Sequence, residues 1–561
     1  MGVRAWNGLG VGLGVLWVMI GTAAHAATPT IRYDFASVSV DGRRELHVTV
    51  KFRAPDAVTE IVVPVAWGGA ENLEAQTQNL KTETPWTTLT PGGNSGERQL
   101  HARAGEPVIL SWDIVPVPTG VFRHPAEHRA IVNDDYFLFN TQNALVYPAF
   151  AREETVQATF DWRKLPRGMQ VFTSFGSGHP VIEVEAPWYR VTEGLFAGGN
   201  FRVLENTKGG STLVLAVRGQ WIFPDSKAFA EIRRILDTED RFWRENPMPY
   251  YLVTLAPFEE DSGDNDGSAF ANAEMLFLSR HDTFDADRLI LLAHEMFHHW
   301  SPLSMGPTSD ENQWFTEGAS VYYASVILLR AGLIRYEDYL VDLNRRLRDY
   351  QRSPMRNITN AAWVQADHRS GAGADVPYSR GAALALWADA RIRERSGGKS
   401  SLDDAMFDLV EEGKGAPAPA LTEDRIFAAL GRYLGPEDLA KLKAVLHEGA
   451  DVPLPARLGQ CAELETGTRT VVDPGFDEKM SVRSKRVTGV EPNGAAYRAG
   501  IRDGQELFRW SIYNDDPTKD ALLGVTIDGE QKMIHFSPTK QMVLSEYRVV
   551  GGGGAVGCTP F

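Results

Sequence analysis

Cysteine is almost missing from this chain: Cys461 and Cys558 are the only two among 561 residues. Two well-separated thiols cannot build a cysteine-rich zinc site, so any metal has to sit on histidine and carboxylate. Long apolar runs are missing too, since nothing after residue 26 is apolar over enough length to span a bilayer. Positive charge is in deficit, with 57 Lys and Arg against 73 Asp and Glu and a formal net charge of −16. A chain of that sign repels phosphate backbones, which argues against nucleic acid as a partner.

What is present begins with a leader. MGVRAWNG carries one positive charge, LGVGLGVLWVMIGTAA is a short apolar run, and Ala24-His25-Ala26 forms a small-x-small cleavage site. Residues 1–26 therefore read as a secretory signal, with an uncleaved N-terminal anchor as the competing reading. Cleavage removes Arg4 and leaves a mature net charge of −17. The expected location is exported, periplasmic or secreted, with no membrane span remaining. In an oxidising compartment an even pair of cysteines points to one disulfide, Cys461 to Cys558, tying the start of the last domain to the chain end.

The length implies several domains. Over 27–205, runs such as IRYDFASVSV, ELHVTVKF, EIVVPVAW and PVILSWDIV alternate with Gly, Pro, Asn and Asp clusters, the pattern of an N-terminal β-sandwich-like domain. Over 206–451 a mixed β segment gives way to helices whose apolar residues recur at three and four, DADRLILLAHEMFHHW first among them. VPLPAR at 452–457 is a linker, and 456–561 is mostly β in character. The predicted fold class is multidomain α+β.

Chemistry concentrates in LLAHEMFHHW at 291–300. Asp285 is placed to cap the helix, and Leu289, Leu292, Ala293, Met296 and Trp300 form its apolar stripe. His294 and His298 differ by about 40° around a helix, so both imidazoles point one way, while His299 is turned about 100° further. Two nitrogens on one face suit zinc, and Glu295 beside them can take a proton from water. The competing reading is a helix with two hydrogen-bonded histidines. Glu317, separated from His298 by eighteen residues and at the start of the next helix, supplies the third ligand that decides between them.

HEMFHHW, then the Glu of WFTEGASVYY, then PYSRGAALALWADARIRERSGGKSSLDDAMFDL resembles the glycyl aminopeptidase family. These are gluzincin zinc metallopeptidases with a thermolysin-like catalytic domain and a C-terminal PDZ domain. The resemblance covers about 285–410 strongly and the rest more weakly. It implies one zinc ion per chain held by His294, His298 and Glu317, with Glu295 as base and proton shuttle. Tyr378 then matches the tyrosine that steadies the tetrahedral intermediate, with Tyr322 and Tyr323 as rivals.

One part of the family pattern is missing. The Gly-Gly-x-Glu-His stretch, whose Glu helps hold the substrate's free amine, corresponds here to DGSAFANAEMLFL. Ala269 and Phe270 take the Glu-His positions, and Glu274 lies nearby out of register. The preceding EEDSGDND at 259–266 reads as a solvated acidic loop whose carboxylates are alternative amine or calcium ligands. At the other end, VTGVEPNGAAYRAGIRDGQEL resembles a bacterial PDZ domain, with Asp473-Pro474-Gly475-Phe476 as candidate carboxylate-binding loop for a peptide terminus. The leading expectation is an exported zinc peptidase on short peptides with altered amine recognition. The alternative is a peptide-terminus-binding PDZ protein whose zinc domain is structural or inactive.

Overall fold

The computed structural model describes residues 28–116, 128–244, 248–258, 265–366, 373–414, 418–513 and 516–550. The leader, Cys558 and most of the acidic loop (259–264) lie outside the described residues. Among the described residues no helix is long and apolar enough to cross a membrane.

Two sheets face each other at the N-terminus. A six-stranded sheet has Thr30–Val40 and Arg43–Arg53 at its centre, and a five-stranded sheet is built around Tyr136–Asn140 and Leu195–Gly199. Many of the inward residues of both are aromatic. Phe35 stacks on Trp162 at 3.9 Å between ring centres, and Phe139 on Phe196 at 5.3 Å. Rings of this size fill the space between sheets with few side chains.

The next sheet has five strands in the order Arg202–Lys208, Ser211–Val217, Tyr250–Pro257, Ala273–Leu278, Asn265–Phe270. The three central strands run parallel, and Asn265–Phe270 closes the edge antiparallel to its neighbour. Both faces are covered, which is why the central strands read as continuous apolar runs. Leu213, Leu215, Val253, Leu255 and Leu276 pack under the helices. Val214, Ala216, Leu252, Met275 and Phe277 pack against Leu138, Phe172 and Ala197 of the N-terminal sandwich.

Four helices frame the cleft: Ala286–Phe297, Gln313–Arg330, Tyr336–Arg352 and Val376–Ser396. Gln313–Arg330 and Val376–Ser396 cross at Gly318 and Gly381. A Cβ on Gly318 would overlap the Gly381 backbone, and one on Gly381 would overlap the Trp314 carbonyl. The absence of both side chains lets the helix backbones touch.

The C-terminal region holds two three-stranded sheets, with a core of Phe476, Val487, Ile501, Leu507, Leu523 and Val525 in one part. Its long strand Thr539–Val549 pairs on one side with Ala462–Val472. Its other edge is closed by two amide side chains of the Tyr336–Arg352 helix. Asn344 receives the Tyr547 N–H at 2.7 Å and donates to the Tyr547 carbonyl at 2.9 Å. Gln351 does the same for Ser545, at 2.8 and 2.9 Å. Side chains thus satisfy a strand edge that would otherwise seek another strand, and they fix the last domain onto a wall of the cleft.

The Gly318–Gly381 contact makes a specific prediction. Gly381→Ala should destabilise the protein by about 1–3 kcal/mol through overpacking. Thermal unfolding followed by circular dichroism measures it. An unchanged midpoint would mean that the helices separate without cost.

Candidate metal centre and cleft

The helix Ala286–Phe297 presents its apolar stripe to the core, with Leu289, Leu292, Ala293 and Met296 all buried. Asp285 stands at the N-cap position but makes no side-chain cap bond. Its carboxylate instead accepts from the Thr283 hydroxyl at 2.5 Å, so the sequence expectation of a capping side chain is corrected. His294 lies in the last turn, and His298 sits at the C-cap, still in helical conformation. The two rings therefore share a face.

Three donor atoms converge. His294 Nε2 and His298 Nε2 are 3.1 Å apart, and Glu317 Oε2 is 3.5 Å from the first and 3.3 Å from the second. Ligands at zinc-binding distance in a tetrahedral arrangement stand about 3.4 Å from one another. The triangle therefore has the dimensions of one face of a zinc tetrahedron. Among the described residues this is the one cluster of three or more His, Cys, Asp or Glu with metal-binding spacing. The donors fit the ion that the sequence implies.

The second nitrogen of His298 is fixed as well. Nδ1 lies 2.9 Å from the Ser301 carbonyl, so it carries the proton and leaves Nε2 as the lone-pair donor. Ser320 Oγ lies 3.3 Å from the same Nδ1. Without an ion, burial works against charge on His298, but the Glu317 carboxylate outweighs it and pushes the imidazole up to about 9. Burial would likewise raise Glu317, yet the two imidazoles hold it well below the usual carboxylate range. The cluster demands positive charge at its centre. His299 is not part of it: its ring packs edge-on against Trp300, and burial, then the Arg190 charge, push it down to about 3.

Glu295 lies between the ligands, buried to 8 % exposure. Burial raises its carboxyl above the ordinary value, the two imidazoles oppose the rise, and Glu317 and Asp266 add to it. The edge strand Asn265–Phe270 presses on it from the side. A Cβ on Gly267 would stand 2.8 Å from Glu295 Cγ, so only glycine fits there. Tyr378 is on the opposite side, 6.2 Å from His294 between ring centres and 37 % exposed into the cleft. Its phenol is raised well above the ordinary value, first by the Glu317 charge and then by burial, so it keeps its proton. The rivals point away: Tyr322 donates to Asp389 at 2.8 Å and Tyr323 to Asp403 at 2.7 Å.

The expected amine-recognition positions separate. Ala269 lies across from Glu274 on the helix-facing side of the edge strand pair. Phe270 alternates to the other side, is buried, and stacks on Trp67 of the N-terminal domain at 5.7 Å. It does not line the cleft, and neither does Glu274, which has no exposed surface. The carboxylate that does reach the cleft is Asp266, the last residue of the acidic stretch. It is 2.7 Å from His128 Nε2, and the other nitrogen of that ring meets the Gly68 carbonyl. Sequence reasoning missed this pair because 138 residues separate its members.

Beneath Glu295 lie two carboxyls with no role in the cleft, Glu239 and Glu274. Both have no exposed surface, and none of their oxygens has a hydrogen-bond partner among the described residues. Burial and then the Glu274 carboxyl raise Glu239 well above the ordinary value; for Glu274 it is burial and then Glu295. Both therefore favour the protonated form more strongly than an ordinary carboxyl.

Comparison with known proteins adds to the geometry. Residues 287–372, which include all three donors and Glu295, match the family model of the M61 glycyl aminopeptidases. No curated protein matches the chain. The fold is similar to the crystal structure of an aminopeptidase N family protein from Idiomarina loihiensis, with a TM-score of 0.67 at 17 % identity over 92 % of this chain and 98 % of that one. An M1 zinc metallopeptidase from Deinococcus radiodurans, crystallised with a Tyr-Ser-Ala substrate, aligns over 76 % of this chain and 96 % of its own at 15 % identity and a TM-score of 0.46.

Two expectations arise from the site. Glu317→Ala should lose zinc on dialysis, because two imidazoles alone leave the face of the tetrahedron open. Stoichiometric metal by mass spectrometry after dialysis would remove Glu317 from the ligand set. Glu239→Gln should change how stability depends on pH. A carboxyl raised in the folded state costs stability as pH climbs above 4.5, because only the unfolded chain then releases its proton. The variant's thermal midpoint relative to wild type should therefore be more favourable at pH about 8 than at about 5. Equal differences at both would mean that Glu239 is ionised in the folded protein.

Proposed function

With its segment 287–372 that of the M61 glycyl aminopeptidase family, we propose that the chain is an exported zinc metallopeptidase of the gluzincin type, cutting short peptides near the N-terminus. The observation that carries this is the triangle of His294, His298 and Glu317 lone pairs, 3.1 to 3.5 Å on a side, with Glu295 beside it. Bound zinc supplies Lewis acidity, acidifying a water and polarising a carbonyl.

The protein's own residues supply the proton traffic. Glu295, raised by burial, takes the proton of the attacking water and returns it to the leaving amine. Gly267 leaves room for that carboxylate and sets the edge strand beside it, where an extended peptide can lie along the backbone. Tyr378 keeps its phenolic proton and donates to the oxygen on which negative charge develops.

Amine recognition is altered relative to the family pattern. Ala269 offers no charge where that pattern has a carboxylate, and Glu274 is sealed below the cleft. Asp266 is present, but His128 already occupies one of its oxygens. The reading is therefore of modest preference for a free N-terminus, with some internal cutting. The C-terminal domain is read as PDZ-like, and Asp473, Pro474 and Phe476 line the cavity between it and the Tyr336–Arg352 helix. Cys461 is disulfide-bonded, and Cys558, its expected partner, lies outside the described residues.

Glu295→Gln should retain zinc and abolish hydrolysis. Tyr378→Phe should lower kcat by roughly a hundredfold, the effect of losing one donor to a developing oxyanion; an unchanged rate would move that role elsewhere. The free-amine reading is checked by kcat/KM for one peptide with its N-terminus free and acetylated. A discrimination above about a thousandfold, roughly 4 kcal/mol, would require a dedicated amine site and contradict it.

A further inference from the structure

The cleft does not end at the metal centre. A cavity of about 420 Å³ covers His294 and Glu295, and a second of about 900 Å³ lies between the Tyr336–Arg352 helix and the C-terminal domain. Tyr378, Arg345 and Arg346 line both, so the two form one path. A peptidase that removes a residue near one terminus leaves little substrate on one side of the scissile bond and the remainder on the other. The larger chamber adjoins the metal centre and has room for several residues of the remainder.

Its two walls differ in charge. The helix wall carries Arg345, Arg346 and Arg352. Arg345 is paired with Asp342 at 2.5 Å, and Arg352 donates to the Val472 carbonyl. Arg346 is held less firmly. The Asp342 carboxylate is 3.5 Å from its Nε, and that buried Nε has no hydrogen-bond partner among the described residues. Asp349, on the same wall, is raised by burial, with Arg346 first among the charges opposing the rise. Asp375 also lines the chamber. Across it, Asp473 and Glu491 are tied to Lys540 at 3.1 and 3.5 Å. An anion entering the chamber is repelled by the far wall and drawn to the arginines. Although its Nε is buried, the Arg346 side chain is 27 % exposed and lines both cavities, and a carboxylate is the acceptor that guanidinium geometry fits best.

We propose that Arg346, with Arg345 beside it, binds the α-carboxylate of the downstream part of the substrate and so selects short peptides with a free C-terminus. The proposal rests on the peptidase reading above, but its test does not need turnover. Calorimetry on zinc-loaded Glu295→Gln protein compares three ligands: trialanine, trialanine amide, and the amide of Ala-Ala-Glu. The free tripeptide should bind at least about tenfold more tightly than its amide. Adding Arg346→Gln should reduce that ratio to below about threefold, and Arg346→Lys should fall between. Thermal midpoint and zinc content establish that each variant is folded. Using the ratio within each protein cancels any general loss of affinity.

Equal binding of free and amidated trialanine, or a preference that survives Arg346→Gln, would overturn the proposal. An Ala-Ala-Glu amide that binds as tightly as the free tripeptide would overturn the terminal assignment and give the arginine to an acidic side chain. Peptides that bind with the expected ratio but are never cut by the wild-type protein would support this site while removing the peptidase reading.

Discussion

The contact between Gly318 and Gly381 sets the geometry on which the site depends. Glu317 immediately precedes the first glycine, and Tyr378 lies three residues before the second. Where the two helix backbones touch, one carboxylate and one phenol are carried to the same small volume above the His294–His298 face. A side chain at either glycine would push both helices apart and move Glu317 and Tyr378 together. The precision of a catalytic site usually depends on such support from packed elements behind it.

The second constraint is electrostatic. The region around the metal centre contains Glu239, Glu274, Glu295 and Glu317, all buried or nearly so. These four could not all be charged without a large desolvation cost. The structure divides them by neighbour. Glu317 has two imidazoles that favour its ionised form, Glu239 and Glu274 are sealed by burial with only other carboxyls among the charges that shift them and favour the protonated form, and Glu295 stands between, buried but next to the imidazoles. That intermediate position suits a group that must accept a proton and give it back.

Much of this was legible in the sequence because it is local. His294, Glu295 and His298 lie within two helical turns, and Glu317 follows after one short connection, so period and spacing carry the metal set. The strands of the N-terminal sandwich and the mixed sheet also appear as expected from their alternation and turn residues. What was not legible is non-local or depends on a single residue of register. Phe270 and Ala269 are adjacent in sequence but point to opposite faces of a strand, so they cannot both face one side of the sheet. Asp266 looked like part of a solvated loop because nothing near it in sequence announces His128. Gly267, Gly318 and Gly381 are ordinary glycines until the structure shows what a Cβ would strike. Arg345 and Arg346 read as a charged helix face, and only the docking of the C-terminal domain makes them the wall of a chamber.

The central claim is that these residues hold zinc in order to hydrolyse peptide bonds. Its most direct test is mass-spectrometric mapping of products from a mixed peptide library, using the protein as purified, after chelation, and after zinc is restored. The account predicts cuts clustered near peptide N-termini that vanish with the chelator and return with zinc at the same positions. Cleavage that persists without metal, or a zinc-replete protein that leaves every peptide intact, would contradict it.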